Sequence, residues 1–212
     1  MVGRYRDFAQ LRQRERHGRD YIVRHRDGRS GLLVMAPHGG GIEAGTGDLA
    51  EALAGNDHAF YCFRGIKREG NRLLHIPSNR FDDPLAIQML KKSRWVLTLH
   101  GCREEAPIVW VGGRDYQRGD RMIDGLREAQ IPAGRCHQPR LRGLHPQNIC
   151  NRGHRRAGVQ LEISLGLRKK MFDNLNRHPL RRSTPLFHRF IHAVARGFPS
   201  DGIPMETGPG RP

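Results

Sequence analysis

Two histidines and two glutamates in this 212-residue chain stand where side chains can do chemistry. His38 ends the apolar run that begins at Gly31, and three glycines then lead to Glu43; His100 closes the apolar run Trp95–Leu99 and is followed by Gly101; Glu162 lies inside the apolar run Val159–Ile163. Hydrolytic zinc takes three protein ligands from His and Asp or Glu and leaves the fourth position to water. His38, Glu43 and His100 supply such a His₂Glu set, and Gly39–Gly41 let the chain fold back so that His38 and Glu43 can face one ion. The spacing is not that of a helical HExxH site. Either histidine alone reads equally well as a hydrogen-bonded structural residue. Two histidines ending separate apolar strands, with a carboxylate five residues after the first, point to a site.

A zinc hydrolase also needs a base that takes a proton from water and passes it to the leaving group. Glu162 is the candidate, because a carboxylate inside an apolar strand must be paired, at an edge, or functional. The alternative is a glutamate pointing to solvent from an alternating strand.

These residues need elements to hold them. Residues 4–18 read as a polar helix, and Tyr21–His25 and Gly31–Ala36 as strands joined across Arg26-Asp27-Gly28, a hairpin signal. A helix follows from Thr46 or Asp48, then strands at Ala59–Phe63 and Leu73–Ile76, and a helix opened by Asp83-Pro84. Beyond Trp95–Leu99 come a strand at Ile108–Val111, a helix at Asp120–Gln130 and an arginine-rich loop from Ile131 to Arg156, whose length suits a wall of the substrate groove. Strand Val159–Ile163, a helix at Leu165–Phe172 and a last helix opened by Ser183-Thr184-Pro185 complete the pattern. Buried strands alternating with helices predict an α/β fold, three-layer α/β/α with a central mixed, largely parallel sheet. Ligands gather beyond the carboxyl ends of such strands, where His38 and His100 are expected.

Composition allows one core: 37% of residues are hydrophobic, and residues 1–196 read as a single domain with a disordered glycine- and proline-rich tail at 197–212. The formal charge of +16 attracts polyanions, but no helix-turn-helix, zinc-finger or RNA-binding signature is present. The N-terminal region has charge and no apolar h-region, and no run reaches membrane-span length, so the expectation is a cytoplasmic protein without a signal peptide and without membrane contact. Cys62, Cys102, Cys136 and Cys150 are then reduced thiols. Cys136 and Cys150, with His137, His145 and His154, offer a second donor group whose spacing fits no standard zinc pattern.

The segments APHGGGIEAGT, HIPSNRFDDP, LTLHG, NRG and QLEIS, in that order over about residues 20–195, resemble the zinc-dependent poly-γ-glutamate hydrolase family of phages and bacteria, itself similar to metallocarboxypeptidases. The resemblance implies one Zn²⁺ per chain on His38, Glu43 and His100, with Glu162 as general base. The metallocarboxypeptidase pattern further implies that Arg80 stabilises the oxyanion and that Asn151 and Arg152 grip a substrate carboxylate. Asn79 stands where the family pattern has a histidine. The implied activity is cleavage of γ-glutamyl amide bonds in an acidic polymer that the positive surface would draw in, by a monomer released through host lysis if phage-derived. A related zinc peptidase acting on other γ-glutamyl or C-terminal peptide bonds is the second reading. A basic nucleic-acid-binding protein on a hydrolase-like fold is the third.

Overall fold

The computed structural model describes residues 4–198. Seven strands form one sheet: β1 (Tyr21–Arg26), β2 (Leu32–Gly40), β3 (Ala59–Gly65), β4 (Trp95–Gly101), β5 (Val109–Gly113), β6 (Ala133–Arg135) and β7 (Val159–Ile163), in the order β1-β3-β2-β4-β7-β5-β6. Only the β1/β3 and β5/β7 pairs are antiparallel, so the fold is α/β with a mixed, mainly parallel sheet. The helices are α1 (Phe8–Arg14), α2 (Thr46–Ala54), α3 (Pro84–Lys92), α4 (Tyr116–Glu128), α5 (Leu165–Met171) and α6 (Pro185–Ala195). A two-stranded ribbon, β8 (Phe172–Asp173) with β9 (Arg182–Ser183), follows α5. Among the described residues no helix is long and apolar enough to cross a membrane.

All nine residues of β2 are buried, as expected for a strand covered on both faces. Leu32, Val34 and Ala36 join an apolar cluster with α2, α4, α5 and α6. Leu33 and Met35 join a second cluster with α1 and α3. The period of two therefore sorts one strand into two cores. Near its end the pattern breaks, for Ala36 pairs with Cys62 and Gly39 with Arg64, so β2 holds one residue more than β3. The extra residue falls at Pro37-His38, where proline has no amide to give the ladder. By strict alternation His38 would share the face of Ala36. The bulge turns it to the other face, against Phe81 and Ile76.

Several local expectations are corrected. The Asp27-Gly28 turn does not make a hairpin, because β1 pairs with β3 rather than β2. The turn instead lies on the backbone before β3, where a Cβ at Gly28 would come within 2.1 Å of the Ala59 nitrogen. The strand expected at Leu73–Ile76 is a 3-10 turn over Asn71–Leu74, with Leu73 45% exposed and Leu74 buried. The first helix is shorter than residues 4–18. The segment Ile131–Arg156 is not wholly loop, since it contains β6 and a 3-10 turn at Ile149–Asn151. Of the expected tail, residues 199–212 lie outside the described residues. The four cysteines are free thiols, as expected.

Strand β7 passes into α5 through Ser164, a buried N-cap whose hydroxyl oxygen accepts from Leu167 N at 3.1 Å and from Ile108 N at 3.0 Å. Ser164→Ala leaves both amides without that partner, and the expected loss is about 1–2 kcal/mol. Thermal unfolding should then come roughly 3–6 °C earlier; an unchanged melting temperature would show the cap to be dispensable.

Candidate metal centre

The chain runs from β2 through α2 to β3 on one side, and then through α3 to β4 on the other, so the sheet order reverses between β2 and β4. Crevices at such reversals are where open α/β sheets bind ligands. The β2/β4 ladder ends at Met35 and Thr98, and beyond it stand His38 on β2 and His100 on β4. The glycine segment closes on itself through the Glu43 amide, which donates to His38 O at 2.9 Å, while Gly41 N donates to Gly65 O at 2.9 Å. Gly40 has φ +66, and a Cβ there would meet Gly65 O at 2.3 Å, so this tight approach to β3 requires glycine.

This brings three donor groups together. His38 Nδ1 lies 3.1 Å from His100 Nδ1 and 3.2 Å from Glu43 Oε1, and His100 Nδ1 lies 3.7 Å from Glu43 Oε2. Donors about 2.0–2.1 Å from one tetrahedral ion stand roughly 3.4 Å apart, so the set fits zinc. The outer contacts agree with that fit. His38 Nε2 donates to Ile76 O at 2.7 Å, which leaves Nδ1 as the bare nitrogen. His100 Nε2 is 3.5 Å from Ser78 Oγ, and Glu43 Oε2 accepts from Gly101 N at 2.9 Å.

A fourth group, His75, was not singled out from the sequence. Its ring stacks on His38 with centroids 3.9 Å apart, and its Nε2 is 3.7 Å from Glu43 Oε1. His38, Glu43 and His75 also offer ligand atoms within 4.8 Å of one another. The neighbouring His38, with burial, draws the His75 pKa down to about 3. His75 sits just past an irregular 3-10 turn, so no periodicity marks it. The signal available was a third histidine inside HIPSNRFDDP, between the two ligand-bearing strands.

Glu162 pairs in register with His100 on β4 and with Trp110 on β5. Val159, Leu161 and Ile163 face the cluster of α4 to α6, so Gln160 and Glu162 turn to the face that carries His38. That face is not solvent, and Glu162 is only 6% exposed. Gln160 Nε2 donates to Glu162 Oε1 at 3.0 Å and to Leu141 O at 2.9 Å, and Asn148 Nδ2 donates to Gln160 Oε1 at 2.9 Å. The segment expected to be a loop therefore packs over this end of β7 and sets the glutamate through Gln160.

The two carboxyls are shifted in opposite directions. Burial raises the Glu162 pKa well above the usual carboxylate range, and the charge of Glu43 adds to it. Burial acts on Glu43 in the same direction, but His38 and His100, by charge and hydrogen bond together, hold it well below that range. Carboxyls driven apart in this way are suited to separate roles, one an ionised ligand and the other a proton carrier.

The remaining sequence candidates each have partners of their own. Arg80 is exposed at a turn in which its amide donates to Pro77 O at 2.7 Å, two residues past Ser78. Asn151 is buried and engaged by the fold: Nδ2 donates to Gly143 O at 2.7 Å and His145 O at 3.0 Å, and Oδ1 accepts from Gly158 N at 3.2 Å. Arg152 Nη1 donates to Phe81 O at 3.0 Å. Both residues line a cleft of about 430 Å³ with Lys91, Arg114, His154 and Arg156. Lys91 precedes β4 and Arg114 adjoins the start of β7, so this basic cleft lies toward the opposite strand ends from His100 and Glu162. Cys136, Cys150 and their neighbouring histidines form no three-donor group among the described residues.

Comparison with known proteins identifies the family. The profile of the family described as poly-γ-glutamate hydrolase matches residues 5–193. The protein YndL of Bacillus subtilis (strain 168) is 37% identical over 169 residues, which cover 79% of this chain and 66% of YndL, just under two thirds of its length. The structure of a bacteriophage poly-γ-glutamate hydrolase superposes with a TM-score of 0.88 at 27% identity, covering 92% of this chain and 96% of that one. The structure of YndL described as apo and zinc-free gives a TM-score of 0.84 at 33% identity, with the same coverage of 92% and 96%. With its profile matched across nearly the whole chain and its donor set gathered at the sheet reversal, this chain belongs to the poly-γ-glutamate hydrolase family.

Proposed function

We propose that this protein is a zinc-dependent amidohydrolase that cleaves the γ-glutamyl amide bonds of poly-γ-glutamate. The observation that carries the reading is the meeting of His38, His100 and Glu43 in one crevice beside a second, protonation-prone carboxyl, Glu162. The phage relative named a poly-γ-glutamate hydrolase and the zinc-free YndL structure support the substrate and the metal. Residues 1–196 are taken as one zinc hydrolase domain. Its helices divide between the two apolar clusters, which supports a three-layer arrangement of metallocarboxypeptidase kind.

His38 and His100, through Nδ1, and Glu43 would hold the ion. When bound, zinc supplies a Lewis acid that acidifies water and polarises the scissile carbonyl. Glu162 takes the proton from the attacking water and returns it to the leaving amine nitrogen. Its burial suits both steps, since a carboxyl with a raised pKa holds a proton long enough to pass it on. Arg80, exposed and in no ion pair among the described residues, meets the negative charge that develops on the carbonyl oxygen. Arg152 and the cationic side chains around it bind carboxylates of the polymer away from the cut.

The test joins elemental analysis with product analysis. Purified protein should carry about one zinc per chain and shorten poly-γ-glutamate, while leaving α-linked polyglutamate intact. Cleavage of ordinary peptides in preference to the γ-linked polymer would assign the related peptidase activity instead. Salt-sensitive nucleic-acid binding with neither zinc nor cleavage would overturn the enzyme reading.

A further inference from the structure

Arg168 on α5 is only 5% exposed, in a chain whose other arginines mostly face solvent. Its guanidinium meets three backbone carbonyls: Nε donates to Ile163 O at 3.1 Å, Nη1 to Ala44 O at 2.9 Å and Nη2 to Cys102 O at 2.8 Å. Those carbonyls come from three separate segments. Ala44 follows Glu43, Cys102 stands two residues after His100, and Ile163 follows Glu162. We propose that Arg168 is the positioning residue of this site, one planar side chain that fixes the backbone beside Glu43, His100 and Glu162 in a single arrangement. The inference rests on the reading of those three residues given above.

Three features support a positioning role over simple packing. A guanidinium presents its donors in a rigid fork, so bonds to three carbonyls fix direction as well as distance. Burying a cation opposite carbonyls alone is an expensive way to fill space, and apolar residues would do it better. Gly101 also leaves room for it, because a Cβ there would lie 2.7 Å from Arg168 Cζ and 2.9 Å from Nη2. The same Gly101 gives its amide to Glu43 Oε2. The glycine after the second histidine thus serves the clamp and a ligand together. Burial draws the Arg168 pKa down while the nearby Glu43 holds it up.

Arg168→Lys keeps the charge and loses the fork. Gly101→Ala keeps the arginine and pushes on its guanidinium, which a Cβ there would meet at 2.7 Å, so it tests the clamp even if the lysine variant fails to fold. Zinc affinity by chelator competition and steady-state kinetics on poly-γ-glutamate are the readouts, with Leu126→Ala, a core truncation in α4, as the control for general destabilisation. The expectation for Arg168→Lys and Gly101→Ala is zinc affinity and kcat each lowered by roughly 10–100-fold, the range for loss of an outer partner of a metal ligand, with KM changed less than about twofold. Leu126→Ala, assayed where it is folded, should keep both. Wild-type zinc affinity and kcat in a folded Arg168→Lys or Gly101→Ala variant would overturn the clamp, as would equal losses in Leu126→Ala. A parent protein with neither zinc nor hydrolysis would instead remove the site reading, and the clamp's purpose with it.

Discussion

Glu162→Gln lowers kcat on poly-γ-glutamate by about 10²–10⁴-fold, the usual contribution of a general acid–base group, while the zinc content stays at that of the parent. The amide nearly matches the carboxyl in shape and keeps a hydrogen-bond partner for Gln160, so only the proton-carrying function is removed. The metal-free variant should also be more stable than the metal-free parent near neutral pH. The direction follows from burial, which raises the Glu162 pKa in the folded protein above its unfolded value. Below the ordinary carboxylate range the group is protonated in both states and carries no penalty. As the pH rises, the unfolded chain releases the proton first, and the folded state loses stability until its own raised pKa is passed. The glutamine variant escapes that loss. Its expected gain is about 0.5–2 kcal/mol, a melting temperature roughly 2–6 °C higher at pH 7.5 with chelator present and no gain at pH 4. Full activity in the variant would remove Glu162 from the chemistry. A gain that persisted at pH 4 would remove ionisation as its cause.

His38→Ala and His100→Ala each lose the metal. Both imidazoles are buried, and both turn Nδ1 toward Glu43. The weakening of zinc binding should exceed the roughly 100-fold that follows loss of an outer partner, so metal is absent after dialysis against a chelator and hydrolysis goes with it. His75→Ala is the informative companion. With His38, Glu43 and His100 as ligands, it retains about one zinc, because that set is complete without it, His38 Nδ1 and His100 Nδ1 standing 3.1 Å apart. Zinc lost from His75→Ala and retained in His100→Ala would exchange the two histidines in the ligand set.

The positions of the site's strands were legible for a physical reason. A strand covered on both faces is mostly apolar, and Val159–Ile163 reads out with the limits of β7, where every residue is buried, Gln160 and Glu162 included. The histidines ending such runs and the lone Glu162 inside one were visible by contrast with their neighbours. Pairing was not legible at Asp27-Gly28, where a turn signal reports a local bend and says nothing about β3 coming between the two strands. Leu73–Ile76 looked like a strand because three of its four residues are apolar, although Leu73 faces solvent while Leu74 and Ile76 do not. His75 lay hidden in that irregular stretch. Arg168 was hidden by abundance, since nothing in a chain of 37 basic residues marks the one that is buried among carbonyls. Gly101 was its trace.

The bulge at Pro37-His38 carries a consequence for how the chain can change over time. Side-chain replacement at position 37 leaves the count of residues between Ala36 and Gly39 unaltered, and the imidazole of His38 still emerges on the crevice face. Removal of Pro37 would set the histidine directly after Ala36, and alternation alone would turn it to the face of Leu33 and Met35, the crevice face it already occupies. The face on which the imidazole emerges tolerates both changes, and what the extra residue alters is how far β2 reaches past β3 before Gly39 meets Arg64.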